Sequence, residues 1–124
     1  MIGGIGTDLV EISRLEAVVE RQGDRFIQRI LTPEEQDQYR ALAHPTRYLA
    51  KRFAAKEAVA KALGTGIGRG VSWQDILIQN DENGAPIAVL SGGALARMQH
   101  LGVERCHLSI SDEQRYATAF VVLD

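Results

Sequence analysis

The feature that most constrains this sequence is a stretch from Thr46 to Leu63 that contains no glycine or proline and is rich in alanine. Such residues favour helix, and the preceding Pro45 suits a helix start. Four of the next seven residues are glycines, and glycine often ends a helix because it accepts a positive φ. The pattern therefore predicts the longest helix of the chain over Thr46–Leu63, followed by a glycine loop.

The rest of the first half also favours helices, after one strand. Apolar spacing predicts a helix over Glu11–Arg21, and Asp24 is expected to cap a second, shorter helix that ends near Ile30. Thr32-Pro33-Glu34-Glu35 has the residues of a helix start with a capping box. The opening Ile2–Val10, rich in glycine and β-branched residues, predicts a strand that ends near Asp8.

The second half favours strands. A hairpin is expected around Asn83-Gly84, since both residues tolerate a positive φ. Ser91 is expected to cap a short helix that ends at Gly102, and Asp112-Glu113 to form a tight turn between the last two strands. We predict a single α+β domain over residues 1–124, with helices mainly in the first half and an antiparallel sheet mainly from the second. The predicted strands are Ile76–Gln79, Ile87–Leu90, Glu104–Ser111 and Tyr116–Leu123, the last apolar on both faces and therefore expected to be central and covered on both sides.

Composition narrows the class of protein. Apolar residues make up 45% of the 124 residues and charged residues 24%, which is typical of a globular domain and not of a disordered chain. A net charge of −2 argues against a general nucleic-acid binder. The apolar runs are too short for a membrane span, and the first residues lack the pattern of a secretory signal. We expect a cytoplasmic protein in which the single cysteine, Cys106, is a reduced, buried thiol.

Basic residues are concentrated in one part of the chain. Ten of the fourteen lie between Arg14 and Lys61. Arg14, Arg21 and Arg25 share one sector if the first two helices are roughly continuous. Such a surface is either a solvated face or a docking site for an acidic helix, and the sequence alone allows both.

Three charged residues are candidates for chemistry. Glu57 and Lys61 share a stripe of the long helix with small residues, where they form either a surface ion pair or part of a site that a ligand can approach closely. Asp8, at the end of the first strand, is either a turn residue or a second carboxylate. Two carboxylates, together with phosphate and water, are typical ligands of Mg²⁺.

Two further segments allow both a structural and a functional interpretation. The glycine loop follows a helix C-terminus, whose dipole disfavours phosphate, so that it is either a simple helix stop or an anion site that needs cations such as Lys61. His107, Ser109 and Ser111 alternate along one face of a strand, which is either solvated or lines a ligand groove.

Motifs along the whole chain resemble the holo-[acyl-carrier-protein] synthases, the small bacterial branch of the 4′-phosphopantetheinyl transferase superfamily. The resemblance is carried by Gly6-Thr7-Asp8-Leu9-Val10-Glu11-Ile12-x-Arg14, by Arg52-Phe53-Ala54-x-Lys56-Glu57-Ala58-x-x-Lys61-Ala62-x-Gly64-Thr65-Gly66, by Gly84-x-Pro86, and by His107-x-Ser109-Ile110-Ser111. The resemblance implies transfer of 4′-phosphopantetheine from coenzyme A to a serine of apo acyl carrier protein, with adenosine 3′,5′-bisphosphate as by-product, in support of fatty acid biosynthesis. A module that binds coenzyme A or the carrier protein without catalysis is the alternative.

The same resemblance implies roles for particular residues. Asp8 and Glu57 would hold Mg²⁺ on the pyrophosphate of coenzyme A, with Lys61 beside the phosphates and Glu57, directly or through a metal-bound water, as the candidate base. The enzyme would be a homotrimer with active sites between subunits, and the Arg14–Arg21–Arg25 face would receive the acidic helix of the carrier protein. Residues expected to contact coenzyme A are Lys61, Gly64, Thr65, Gly66, Asn83, Gly84, Pro86 and His107, of which Asn83–Pro86 and the His107 strand would come from the adjacent chain.

One position departs from the family pattern. Many members have histidine where this chain has Asp112. A carboxylate cannot donate a cationic hydrogen bond to phosphate at neutral pH, so no such role is assigned to Asp112.

Overall fold

The computed structural model describes residues 1–124, and it has the predicted division into a helical first half and a strand-rich second half. One 3₁₀ turn, Trp73–Asp75, precedes the second strand. The first half contains β1 (Gly4–Glu11), α1 (Ile12–Gln22), α2 (Asp24–Ile30), α3 (Pro33–Ala41) and α4 (Thr46–Ala62), and the second half contains β2 (Ile76–Asn80), β3 (Pro86–Leu90), α5 (Gly92–His100), β4 (Cys106–Asp112) and β5 (Tyr116–Leu123). The α+β class with antiparallel strands is thus confirmed.

The strands form two antiparallel sheets rather than one. The larger has the order β1-β5-β4, so the first strand of the chain pairs with the last, with Asp8 opposite Ala119. The smaller is the β2–β3 hairpin, whose β3 lies against β4. The larger sheet packs on α4 through one of its faces.

Two glycines let β1 approach α4 closely. A Cβ atom on Gly6 would overlap with the carbonyl oxygen of Ala58, and one on Gly4 with that of Ala62. Because side chains alternate along a strand, Asp8 points to the same face as these glycines. The glycines therefore bring the Asp8 carboxylate to the surface of α4.

The core consists of two apolar clusters that meet at α4. One contains Ala54, Ala55, Ala58 and Ala62 of α4 with residues of β2 and β5, and the other joins α1, α2 and the first half of α4. Val10 and Ile67 pack against both clusters, so the two are continuous.

A buried ion pair fixes the position of α4. The side chains of Lys56 and Glu35 are both 0% exposed, and the ammonium lies 2.5 Å from the carboxylate. Lys56 also donates to the carbonyls of Ile30 and Trp73, and Glu35 accepts from the backbone N–H of Ile78. Every partner lies on another element, so the pair joins α4 to its neighbours. The capping box predicted at Thr32 supplies one more donor to Glu35, the N–H of Thr32 itself.

One prediction about β5 was wrong in part. The strand is central, but only one face is covered, because Ala117, Ala119, Val121 and Leu123 are buried while Tyr116 and Phe120 are exposed. Ile5 and Leu9 of β1 extend this open apolar face; they are 61% and 67% exposed.

Three local predictions also need correction. Asp112 is the last residue of β4 and pairs with Ala117, so it is not part of the turn, which comprises residues 113–115. Gly23 occupies the N-cap of α2, with Asp24 as the first helical residue. Ser91 does stand at the N-cap of α5, but its hydroxyl bonds to the carbonyl of Asp75 instead of capping the helix.

The hairpin was predicted correctly, although by partly wrong reasoning. Gly84 alone has a positive φ, whereas Asn83 does not. The Asp81 carboxylate organises the loop by accepting from the N–H groups of Asn83 and Ala85.

Candidate functional site

Asp8 and Lys61 meet across the contact between β1 and α4. The Lys61 ammonium lies 3.0 Å from the Asp8 carboxylate and donates also to the carbonyl of Thr7, at 3.0 Å. The Asp8 side chain is 14% exposed and that of Lys61 50%, so the pair lies at the edge of the sheet, open to solvent on one side. Lys61 therefore pairs with a residue 53 positions away, not with Glu57 on its own helix as the surface-pair interpretation would have it.

Glu57 completes this group one helical turn before Lys61. Burial raises the pKa of the Glu57 carboxyl, the nearby Asp8 carboxylate raises it further, and Lys61 opposes both effects. Two carboxylates thus lie close enough to repel each other, with one ammonium that pairs with Asp8 and also acts on Glu57. We refer to Asp8, Glu57 and Lys61 as the acidic centre.

The residues of the acidic centre suit a divalent metal ion. No group of three or more histidine, cysteine, aspartate or glutamate side chains occurs in the structure, so a metal ion here would have two protein ligands. Two carboxylate oxygens are a common protein contribution to a Mg²⁺ site that leaves the other positions to phosphate and water. A divalent cation would also relieve the repulsion that raises the pKa of Glu57.

The glycine loop after α4 closes the helix. The N–H of Gly64 bonds to the carbonyl of Lys61, and those of Thr65 and Gly66 bond to the carbonyl of Ala60. The Thr65 hydroxyl bonds to the carbonyl of Gly66. These amides are therefore not available to a phosphate group, and the loop lies beside the acidic centre without forming an anion cradle.

A second charged region lies at the other half of α4. Two adjoining grooves, of about 450 and 110 Å³, share Lys51, Arg52 and Asn80. The smaller is also lined by Gly84 and Pro86, the hairpin residues that the resemblance assigns to coenzyme A. We refer to the two together as the cationic groove.

Arg52 is the buried arginine of this groove. Its side chain donates to Asn80 at 2.8 Å and its guanidinium carbon lies 4.6 Å from the centre of the Tyr48 ring. The residue is only 5% exposed, and its Nε has no hydrogen-bond partner. An arginine desolvated to this degree, with a donor left over, favours a bound anion.

The structure does not bring all predicted residues together. Asn83 is exposed in the hairpin loop, next to the cationic groove. His107 lies on the open face of the larger sheet, where its Nε2 is 3.3 Å from the carboxylate of Asp124. This residue lines neither groove. Within one chain, the acidic centre, the cationic groove and His107 are three separate places.

The basic surface on the first two helices also differs from its prediction. Arg14 and Arg21 are exposed and two turns apart on α1, so they share a sector. The helix α1 ends before Gly23, which has a φ of 60°, so Arg25 belongs to the separate helix α2. The argument from a continuous helix therefore holds for two of the three arginines.

Sequence reasoning missed that Arg47, Lys51 and Arg52 line one groove. Their positive charges were counted, but nothing local links them to Gly84 and Pro86, over 30 positions away. One available signal was the i, i+4 spacing of Arg47 and Lys51, which places both on one side of the helix.

Comparison with known proteins gives a consistent result. The 4′-phosphopantetheinyl transferase superfamily matches residues 4–121. The holo-[acyl-carrier-protein] synthase of Shewanella piezotolerans is 58% identical, with 100% of this chain and 99% of the relative covered, and that of Shewanella baltica is 57% identical, with 99% and 97% covered.

Solved structures of similar proteins have the same fold. The crystal structure of holo-[acyl-carrier-protein] synthase from Neisseria meningitidis superposes with a TM-score of 0.94 at 44% identity, over 100% of this chain and 99% of that one. The enzyme from Helicobacter pylori, solved in complex with coenzyme A, gives a TM-score of 0.85 at 35% identity, over 97% and 99%. The chain belongs to the holo-[acyl-carrier-protein] synthase family of the 4′-phosphopantetheinyl transferase superfamily.

Proposed function

We infer that this chain transfers 4′-phosphopantetheine from coenzyme A to a serine of apo acyl carrier protein. The serine oxygen forms a bond to the β-phosphorus of the pyrophosphate, and the bond from that phosphorus to the bridging oxygen breaks, releasing adenosine 3′,5′-bisphosphate. The observation that carries the proposal is the meeting of Asp8, Glu57 and Lys61 at the contact between β1 and α4. Residues 1–124 act as one such domain, since its two apolar clusters are continuous.

The acidic centre would face the pyrophosphate of coenzyme A through a bound cation and Lys61. Asp8 and Glu57 would hold Mg²⁺, which when bound neutralises the pyrophosphate and the leaving bisphosphate. Lys61, half exposed, offers its remaining ammonium proton to a phosphate oxygen. Glu57 is the candidate to accept the serine proton, since its carboxylate belongs to the same centre as Asp8 and Lys61.

The cationic groove receives the nucleotide end of coenzyme A. That end carries a ribose phosphate, which needs cations beyond those at the pyrophosphate. Arg52 has an unpaired buried donor, Lys51 lies beside it, and Gly84 and Pro86 line the same groove.

The separation of these regions within one chain supports an active site shared between subunits. The open face of the larger sheet exposes Ile5, Leu9 and Phe120, the last by 48%, which is unusual for a stable surface. We propose that this face packs against neighbouring copies in a homotrimer, so that the acidic centre of one chain approaches the groove and His107 of the next.

Mass spectrometry tests the activity directly. Apo carrier protein incubated with this chain, coenzyme A and Mg²⁺ is expected to gain the mass of one phosphopantetheine. Binding of coenzyme A without any gain of mass would show a non-catalytic module instead.

Subunit mixing tests the shared site. Asp8→Asn and Arg52→Gln each remove one half of the proposed site, and a mixture of the two inactive proteins, refolded together, is expected to regain part of the activity. A mixture as inactive as its components would place the whole site within one chain. Phe120→Glu is expected to give a monomer in sedimentation, while Tyr39→Phe, on α3 and outside the open sheet face, leaves the oligomer unchanged.

The arginines of α1 are proposed to contact the acidic carrier protein. Arg14→Glu with Arg21→Glu is expected to raise the KM for the carrier about tenfold at low salt, with a smaller difference at high salt because surface charges are then screened. Coenzyme A binding should stay unchanged. An equal loss of both would indicate a structural role for this surface.

A further inference from the structure

Asp112, the residue that departs from the family pattern, is part of a charged cluster between α4 and the end of β4. Its Oδ2 lies 3.0 Å from Arg47 Nη1 and its Oδ1 lies 3.8 Å from Lys51 Nζ. Both cations line the cationic groove, as does Asp112 itself. The carboxylate thus lies between two positive charges 65 and 61 positions away in the sequence.

Arg47 is occupied by structural contacts. Besides Asp112, its Nη1 donates to the carbonyl of Glu113 at 2.6 Å, and its Nη2 points to that of Gln114 at 3.4 Å. One guanidinium thereby joins the first turn of α4 to the turn between β4 and β5. Arg47 holds Asp112 in place and compensates its charge.

Lys51 is differently placed. Its ammonium contacts Asp112 only at 3.8 Å, so that its three donors remain largely available. It lies next to Arg52 in both grooves. Since Arg47 and Asp112 cancel, Lys51 and Arg52 provide a net charge of about +2 facing the groove.

We propose that Asp112 is a positioning residue: anchored by Arg47, it holds Lys51 beside Arg52 so that both meet the ribose phosphate of coenzyme A. The inference rests on the proposed function, which places the nucleotide end of coenzyme A in this groove. It accounts for a carboxylate at a phosphate site, because the carboxylate does not touch the phosphate but directs a cation to it.

The test compares coenzyme A with dephospho-coenzyme A, which lacks the ribose phosphate. In Asp112→Asn the KM for coenzyme A is expected to rise about fivefold with kcat little changed, while the KM for dephospho-coenzyme A stays the same. Lys51→Gln should show the same pattern, and the double variant should be no worse than Lys51→Gln alone, because Asp112 acts through Lys51. Asp37→Asn, which removes an equal charge from the exposed surface of α3, serves as the matched control and is expected to change nothing.

Several results would overturn the inference. A KM for coenzyme A that is unchanged or lowered in Asp112→Asn would show that the carboxylate only repels the phosphate. An equal rise with both substrates, or additive effects in the double variant, would exclude action through Lys51 on the ribose phosphate.

Two measurements keep the outcome interpretable. Calorimetric titration of the wild type and variants with both nucleotides tests the positioning of Lys51 even if no transfer is detected. A failure of the proposed function can therefore be told apart from a failure of the inference about Asp112. If Asp112→Asn lowers the melting temperature severely, Arg47→Gln with and without Asp112→Asn replaces it. Arg47→Gln leaves Asp112 free to pair with Lys51, so adding Asp112→Asn is expected to restore part of the affinity for coenzyme A, and a further loss would contradict the proposal.

Discussion

Lys56 and Glu57 are neighbours in the sequence, yet their surroundings differ in every respect. Lys56 is completely buried, paired with Glu35 and bonded to two carbonyls. Glu57 is partly buried near a second carboxylate, and the one ammonium of this group pairs with Asp8. The first is a polar group whose partners all come from the chain. The second has charge that the chain compensates only in part, and this difference separates the residue that holds the helix from the residue proposed to serve the ligand.

The largest expected effect follows from breaking the buried pair. Lys56→Met leaves the Glu35 carboxylate charged, buried and without its cation, which should lower the free energy of unfolding by about 3–5 kcal/mol. Urea denaturation followed by circular dichroism measures it. Lys61→Met, the same change five residues later on the exposed side, is the control and should cost no more than about 1 kcal/mol. Similar losses of unfolding free energy in the two variants would show that the buried and the exposed lysine contribute equally to stability.

Substitutions in the acidic centre should lower activity and leave stability largely unchanged, the opposite of the change expected for Lys56→Met. Asp8→Asn, Glu57→Gln and Lys61→Met are each expected to lower kcat by about 100-fold or more, since each changes the charge around the pyrophosphate, while the fold persists. Mass spectrometry of the carrier protein measures the loss of activity, and circular dichroism of the variants checks that the fold persists. Near-normal Mg²⁺-dependent turnover in Asp8→Asn or Glu57→Gln would refute the assignment of metal ligands.

The smallest expected effect is on stability without metal. With its raised pKa, Glu57 keeps a proton in the folded state at pH values where the unfolded chain has lost it. The folded state then binds more protons, so the unfolding free energy of the metal-free protein should fall as pH rises from the ordinary glutamate pKa through the raised one. Glu57→Gln removes this decline. Melting temperatures measured against pH in a chelating buffer test this decline. Mg²⁺ should stabilise the wild type more than the variant. Identical pH profiles of wild type and variant would show that the pKa of Glu57 is not raised by its surroundings.

Much of the fold is predictable because its signals are local. The capping box at Thr32, the helix over residues 46–62 and the hairpin at Gly84 depend on residues within a few positions of each other. The open face of β5 was not predictable, since an apolar strand looks the same whether a helix or another chain covers it. Apolar residue types alone do not tell whether one face of the strand is covered or both.

The candidate site shows the same limit. Asp8 and Glu57 were singled out from their places at a strand end and on a helix stripe, and the resemblance assigned both to a metal ion. Their approach depends on Gly4 and Gly6 touching α4, a contact that spacing does not encode. Lys56 looks like a surface lysine until Glu35 is placed beside it. The partners of Asp112 are over 60 positions away, so its residue type predicted only what it could not do.

The glycines of β1 have a consequence for anyone who would redesign this centre. With main chain resting on main chain, no rotamer change can widen or narrow the gap between the strand and the helix. For the proposed metal site, the spacing between the two elements is therefore set by the backbone, and altering it would require shifting an entire strand.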